Sequence, residues 1–177
     1  AAPFSYLEGS MDIGLERAGP ERRTLLENLF QLYTHDFSEH WAGQAQGELG
    51  EDGRFADYPY LDSYWAEPDR DAWLIRADGA LAGFALVNAF AHSGRPTDFS
   101  VAEFFVARKY RRGGVGLGAA TQLIQARPGQ WEAAVVRANA GALPFWRRVA
   151  AAVSSDVDEA DHNDDLWNGP ILRFRVG

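Results

Sequence analysis

The chain is predicted to fold as an α/β domain, with a mixed, mostly antiparallel central sheet, one parallel βαβ unit and flanking helices. Three observations predict it. An apolar stretch from Val101 to Ala107 leads into a glycine-opened helical pattern from Val115 to Ala126, then into a strand-like run from Gln130 to Arg137. Strand, helix and strand within about 35 residues make a βαβ unit, whose crossover is right-handed and whose strands run parallel. Upstream, Ala72 to Arg76 and Leu81 to Phe90 flank Asp78-Gly79, a strong two-residue turn signal, so an antiparallel hairpin precedes that unit. The second arm of the hairpin is apolar on both faces, as a central strand requires.

The remaining elements follow in order. Met11 to Arg17 alternates weakly and is read as a first strand. Pro20 opens a helix, with Glu21 in its first turn and Leu25, Leu26, Leu29, Phe30 and Tyr33 at helical spacing. From Thr34 to Arg70 the pattern dissolves into a mixed acidic and aromatic stretch, which at that length is expected to be functional or partly helical. His92 to Phe99 reads as a loop. Pro128-Gly129 stops the glycine-opened helix. Asn139 is read as the cap of a last helix, Ala142 to Ala152, with Phe145, Trp146 and Val149 facing inward. The acidic run from Asp156 is read as a loop before a final strand, Ile171 to Val176.

Composition bounds the function. The chain has 177 residues and 46% hydrophobic content, enough for one compact domain. Residues 1–10 precede the sole methionine, Met11, and are expected to be an expression remnant; residues 11–177 are expected to form one domain. No apolar run reaches the ~20 residues of a membrane span, and no secretory signal is evident, so no membrane partner is expected. Cysteine is absent, which removes a disulfide framework and a thiol nucleophile and suits the cytoplasm. The net charge of −8 argues against nucleic acid as a partner and favours a cationic substrate.

Against that acidic background, Arg108, Lys109, Arg111 and Arg112 cluster immediately before Gly113, Gly114, Gly116 and Gly118, where the helical pattern begins. Glycines let backbone N–H groups approach a ligand, and a helix start offers unpaired donors and a positive dipole end. The combination is an anion cradle suited to a phosphate or pyrophosphate. It is not a nucleotide-hydrolase loop, because no Gly-Lys-Ser/Thr follows. It is not a dinucleotide fingerprint either, because Ala119 stands at the third glycine position and no repeated strand–helix units follow.

The spacing Arg111-x-x-Gly114-x-Gly116 instead resembles the Gln/Arg-x-x-Gly-x-Gly/Ala signature of the GNAT superfamily of acyl-CoA-dependent N-acyltransferases, and Asn139-x-x-Ala142 resembles a second family position. The order of elements from Met11 to Val176 is similar throughout, most specifically from Glu103 to Val149. The resemblance implies a GNAT-like acyl-CoA N-acyltransferase fold and acetyl-CoA as cosubstrate, with no metal. It implies that backbone groups at Phe104 and Val106 bind the pantetheine arm. N–H groups across Arg111, Arg112, Gly113, Gly114, Val115, Gly116 and Leu117 would hold the pyrophosphate, and Asn139 would lie beside the parted strands. Phe145 and Arg148 would lie against the pantetheine and the adenosine phosphates. Coenzyme A carries about four negative charges, which charge-assisted donors and an arginine fork hold well. One position departs from the family. Trp146 stands where many members place a Tyr that protonates the departing thiolate, and an indole N–H is too weak an acid for that role.

Candidate catalytic groups are fewer. Glu103, on the strand leading to the cradle, can serve as general base if burial raises its pKa toward neutrality; otherwise it is an Arg-paired or solvated carboxylate. His35, Asp36, Glu39 and His40 fall at i, i+4 spacing, the pattern of a helix-end surface cluster bordering the acceptor pocket. Phe55, Tyr58, Tyr60, Tyr64 and Trp65, with Asp57, Asp62 and Glu67, form either an amine pocket or a packed loop. Together these readings give an acetyl-CoA-dependent N-acetyltransferase acting by direct attack on a primary amine, the acceptor being a small cationic molecule. A coenzyme-binding sensor without catalysis and an enzyme acting on a peptide amine are the alternatives. A homodimer is compatible with all three.

Overall fold

The computed structural model describes residues 11–177; the expected remnant, residues 1–10, lies outside the described residues. Among the described residues the strands are β1 (Ile13–Arg17), β2 (Asp71–Ala77), β3 (Ala80–Asn88), β4 (Phe99–Val106), β5 (Gly129–Ala134), β6 (Val157–Asn163) and β7 (Asn168–Val176). The helices are α1 (Arg23–Ser38), α2 (Ser63–Ala66), α3 (Val115–Gln125) and α4 (Leu143–Val153). The strands form one sheet in the order β1-β2-β3-β4-β5-β7-β6, antiparallel everywhere except between β4 and β5.

Residue alternation explains the layering. On β3, Phe84 and Leu86 face α1, where they pack with Leu26, Phe30 and Phe105. Their neighbours Ala85 and Val87 face α3 and α4, joining Leu123, Ile124, Trp131, Val149 and Phe174. A strand covered on both faces reads as continuously apolar, as the sequence of this hairpin arm does. The turn before it has φ of 49° at Asp78 and 80° at Gly79, the left-handed pair of a two-residue hairpin whose twist matches its strands.

The β4–β5 pairing is confined to Phe99↔Trp131 and Ser100↔Glu132. Beyond it the strands part, for two reasons. β4 has an extra residue, Ala102, since Leu86 pairs with Glu103 while Val87 pairs with Val101, and such a bulge bends its strand. β5 meanwhile stays paired to β7 as far as Ala134↔Ile171. A gap therefore opens in the middle of the sheet, roofed by α4 on one face and by α1 on the other.

Two expectations are corrected. The acidic run expected to be a loop is the edge strand β6, pairing with β7 from Val157↔Phe174 to Asn163↔Asn168. Its charges hid the strand pattern but serve an edge, where they discourage pairing with other chains; Asp158 binds Arg95, Glu159 binds Arg147 and Asp161 binds Arg137. Asn139 is not a helix cap. It sits inside a short 3-10 segment, Arg137–Ala142, with φ −99° and ψ 51°, and α4 begins after it with no side-chain cap. Pro144, in the first turn of α4, has the fixed φ and missing N–H that suit a helix start.

The loop between β3 and β4 is tied down by a buried charge network. Glu132 and Arg173 are 1% and 7% exposed and lie 2.7 Å apart. Arg173 also donates to Thr97 Oγ1 and the Pro96 carbonyl, and Ser93 donates to Glu132. Removing one member of such a pair leaves a buried charge alone. Arg173→Met is therefore expected to destabilise the protein by about 3–5 kcal/mol, whereas the double change with Glu132→Gln recovers much of the loss. Urea unfolding of the single and double variants measures both.

Candidate active site

The cradle has the geometry its sequence suggested. Gly114 precedes α3 with φ 84°, a left-handed conformation that a residue with a Cβ resists, and no side chain caps the helix. The first backbone bond of the helix is donated by Gly118 to Gly114. The N–H groups of Val115, Gly116 and Leu117 precede that donor and have no intrahelical acceptor. A Cβ built at Gly113 or Gly114 meets nothing within 4 Å, so a ligand has room above the loop. At Gly116 it would meet Phe145 at 3.3 Å and Val106 at 3.7 Å. Here glycine lets α3 press against α4 and the end of β4.

Beside the cradle, the parted strands frame a cleft of about 960 Å³. Ala107 N–H donates to Ala82 on β3, so strand alternation turns the backbone of Phe104 and Val106 away from β3 and toward the opening. The Val106 carbonyl is taken by Arg111 Nε at 2.7 Å. The open strand edge and the free helix start are the two features that a long chain ending in phosphates needs. Residues thus fit coenzyme A by backbone geometry more than by side-chain charge.

The cleft passes through the sheet. Phe104 points to the α4 side, with its ring 5.8 Å from Phe145 and 5.4 Å from Trp146. Its neighbour Glu103 points to the α1 side, where its carboxylate accepts a hydrogen bond from Tyr33. Both residues line the same cleft. Glu103 is half-buried, and burial pushes its carboxyl up to about 7, while the Tyr33 hydroxyl pulls it back down. Burial, together with the adjacent carboxylate, raises the Tyr33 phenol well above its ordinary range, so Tyr33 stays a donor at neutral pH. Tyr33→Phe removes that donor. The expected result is a rate–pH midpoint moved above about 7 with the high-pH plateau largely kept, read from kcat/KM across pH 5–9.

The predicted residues are not all brought together. Glu103, Phe104, Arg111, Asn139 and Phe145 line the cleft, with Trp146 among them. Arg112 to Leu117 flank it at the start of α3. Arg148 is exposed on α4 and does not line it. The Arg111 guanidinium turns toward α1, binding Asp36, which also holds Arg108 at 2.9 Å. These arginine hydrogen bonds hold the Asp36 carboxyl below its ordinary value in spite of its partial burial. The His35–His40 segment therefore acts through Asp36 as a brace between α1 and the cradle. Among the described residues, no group of three or more His, Asp or Glu is placed to hold a metal. None of the helices there is long and apolar enough to cross a membrane.

The acidic and aromatic stretch divides between its two readings. Phe55 and Tyr64 are buried in packing, while Asp57 and Tyr58 line the cleft. Sequence reasoning missed Tyr33 as a functional residue, placing it only among the apolar positions of α1. Its polar tip on an otherwise apolar helix face was the available signal.

Comparison with known proteins gives the family and the fold. The sequence model for the Acetyltransferase (GNAT) family matches residues 26–151, well over half of the chain. No curated protein matches it by sequence. Among solved structures, an acetyltransferase from Thermus thermophilus is 16% identical, with 95% of this chain and 99% of that chain covered and a TM-score of 0.65. A PaiA N-acetyltransferase from Thermoplasma acidophilum, solved in complex with coenzyme A, is 14% identical over 93% of this chain and 99% of that one, with a TM-score of 0.52. An aminoglycoside acetyltransferase from an uncultured soil metagenomic sample, in complex with trehalose, is 13% identical over 86% and 97%, with a TM-score of 0.54. At these identities the likenesses speak for the fold, and the sequence match speaks for the lineage: the chain belongs to the acetyltransferase (GNAT) family of acyl-CoA-dependent N-acetyltransferases.

Proposed function

We propose that residues 11–177 form one domain that moves the acetyl group of acetyl-CoA to the primary amine of a small cationic acceptor, with Glu103 as general base. One observation above all supports this reading. Glu103 and Phe104 are neighbours on β4, yet they reach a single cleft from opposite faces of the sheet. An acceptor entering over α1 can therefore meet a coenzyme lying along β4 and α3 without either crossing the chain.

The bound coenzyme supplies an activated thioester; the chain supplies position and proton transfer. N–H groups across Arg111 to Leu117 hold the pyrophosphate, and Phe104 and Val106 align the pantetheine arm as an added strand. Phe145 and Asn139 flank that arm, and Arg148 reaches the adenosine phosphates from the surface of α4. An amine arrives as an ammonium ion and must lose a proton before its nitrogen can attack. Glu103 takes that proton, and a carboxyl near 7 is matched to the task at neutral pH. The new C–N bond forms as the C–S bond breaks, giving the amide, free thiol and a net proton. A thiolate of pKa near 8.5 leaves with little help, so Trp146 need not protonate it; water suffices. The net charge of −8 favours encounters with cations over the surface as a whole.

Coenzyme A release from acetyl-CoA, read with a thiol-reactive dye across a panel of amines, tests the proposal. The protein has no cysteine and is silent in that assay. Amine-dependent release establishes the reaction. Acetyl-CoA binding without release by any amine overturns it.

A further inference from the structure

The acceptor side of the cleft, on the α1 face, has a chemical character that narrows the acceptor. We propose that the acceptor is a primary monoamine carrying a flat apolar body, rather than a polyamine, an aminosugar or a peptide; this rests on the acetyl transfer proposed above.

The wall beyond Glu103 is aromatic. Tyr33 and Phe37 lie with ring centroids 4.9 Å apart, and Phe37 and Trp41 continue the row at 5.6 Å. Opposite them Tyr58 stacks on Phe30 at 4.5 Å with the rings only 13° from parallel. Five rings from α1, the turn after it and the 55–62 segment thus line the cleft that holds this carboxylate. A flat apolar group entering such a slot gains stacking and edge contacts as well as burial. Its ammonium end meets Glu103 and the faces of neighbouring rings, which attract cations.

Acidic groups suited to the other classes are few on this wall. Glu103 and Asp57 are the carboxylates on the cleft wall, and Asp57 lies 3.6 Å from Arg54 and is largely exposed. Asp36, the nearest other acid on α1, is taken up by Arg108 and Arg111. A second or third ammonium of a polyamine therefore finds only Asp57, which is open to solvent and already beside Arg54. The hydroxyls of an aminosugar would lose water against a wall where aromatic surface predominates and the Tyr33 hydroxyl is already engaged by Glu103. An extended peptide needs a row of backbone donors and acceptors, and this aromatic wall presents none.

The test compares kcat/KM for 2-phenylethylamine, n-butylamine, spermidine, kanamycin and a tripeptide amine at saturating acetyl-CoA. The proposal expects 2-phenylethylamine to exceed n-butylamine by roughly tenfold or more, and the polar amines by a wider margin. Trp41→Ala is expected to erase that roughly tenfold preference by lowering kcat/KM for 2-phenylethylamine towards that for n-butylamine, with circular dichroism reporting that the variant is folded. Faster turnover of spermidine, kanamycin or the peptide overturns the acceptor class and leaves acetyl transfer standing. An unchanged preference in Trp41→Ala overturns the role of the aromatic wall. Acetyl-CoA binding without turnover of any amine overturns the underlying reading, and this inference with it.

Discussion

Gly114→Glu is expected to abolish acetyl-CoA binding while leaving the protein folded. The residue stands at the entrance to α3 with φ 84°, and the space above it is open for 4 Å. A glutamate there places a side chain and a negative charge in the proposed pyrophosphate site, and it strains the left-handed turn that aims the N–H groups of Val115, Gly116 and Leu117. Charge-assisted hydrogen bonds contribute about 1.5–3 kcal/mol each, so losing two weakens binding by roughly two to four orders of magnitude. Isothermal titration with acetyl-CoA reads the loss directly. Circular dichroism separates it from unfolding, because the open space means that no packed neighbour is displaced. Gly114→Ala makes a useful companion: it keeps the strain but omits the charge, so it should weaken binding less. Undiminished affinity in Gly114→Glu would move the coenzyme site elsewhere.

Glu103→Gln carries the second large effect. As general base, Glu103 works ionised, so the rate of the natural enzyme should rise with pH through about 7. The glutamine variant should lose about a hundredfold in kcat/KM and flatten that rise. Stability should move the other way. The carboxyl sits near 7 in the folded protein against an ordinary value of 4.5, so the folded state holds its proton more tightly than the unfolded chain does. Stability therefore falls as pH rises from about 4.5 to about 7, and the penalty is complete above that window. Glutamine escapes it. The variant should melt higher than the natural protein at pH 8 and close to it at pH 4, as differential scanning fluorimetry would show. A site that loses activity while gaining stability is the signature of a functional buried charge. A variant with an unchanged pH–rate profile would return Glu103 to a structural role.

The glycine-opened start of α3, the proposed coenzyme site, was legible because its geometry is local. An anion cradle is made by consecutive backbone N–H groups, and Gly113, Gly114 and Gly116 together with the helix they open are contiguous in sequence. The hairpin was equally plain, since Asp78-Gly79 specifies a turn within two residues. The βαβ unit followed from periodicity alone, as did the apolar faces of α1 and α3.

Other features needed the folded chain. The edge strand β6 was hidden because its stability comes from pairing with β7 and from arginines at 95, 137 and 147, none of them near it in sequence. The burial of Glu132 depends on Arg173, 41 positions away. Asn139 has the composition of a cap, yet its backbone is non-helical, with φ −99° and ψ 51°, inside a 3-10 segment.

What the sequence determined by itself was the fold class, the strand and helix order through α4 apart from the short α2, and the glycine loop that opens α3, since each rests on propensity, spacing and backbone conformation within a few residues. What only the tertiary structure decided was the setting of Glu103 and of the α1 side of the cleft. Tyr33 meets Glu103 across 70 positions and Asp36 meets Arg111 across 75, and the pKa of Glu103 is set by the protein packed around it. Burial and through-space electrostatics arise only when distant segments share one small volume, and no window along the chain contains them.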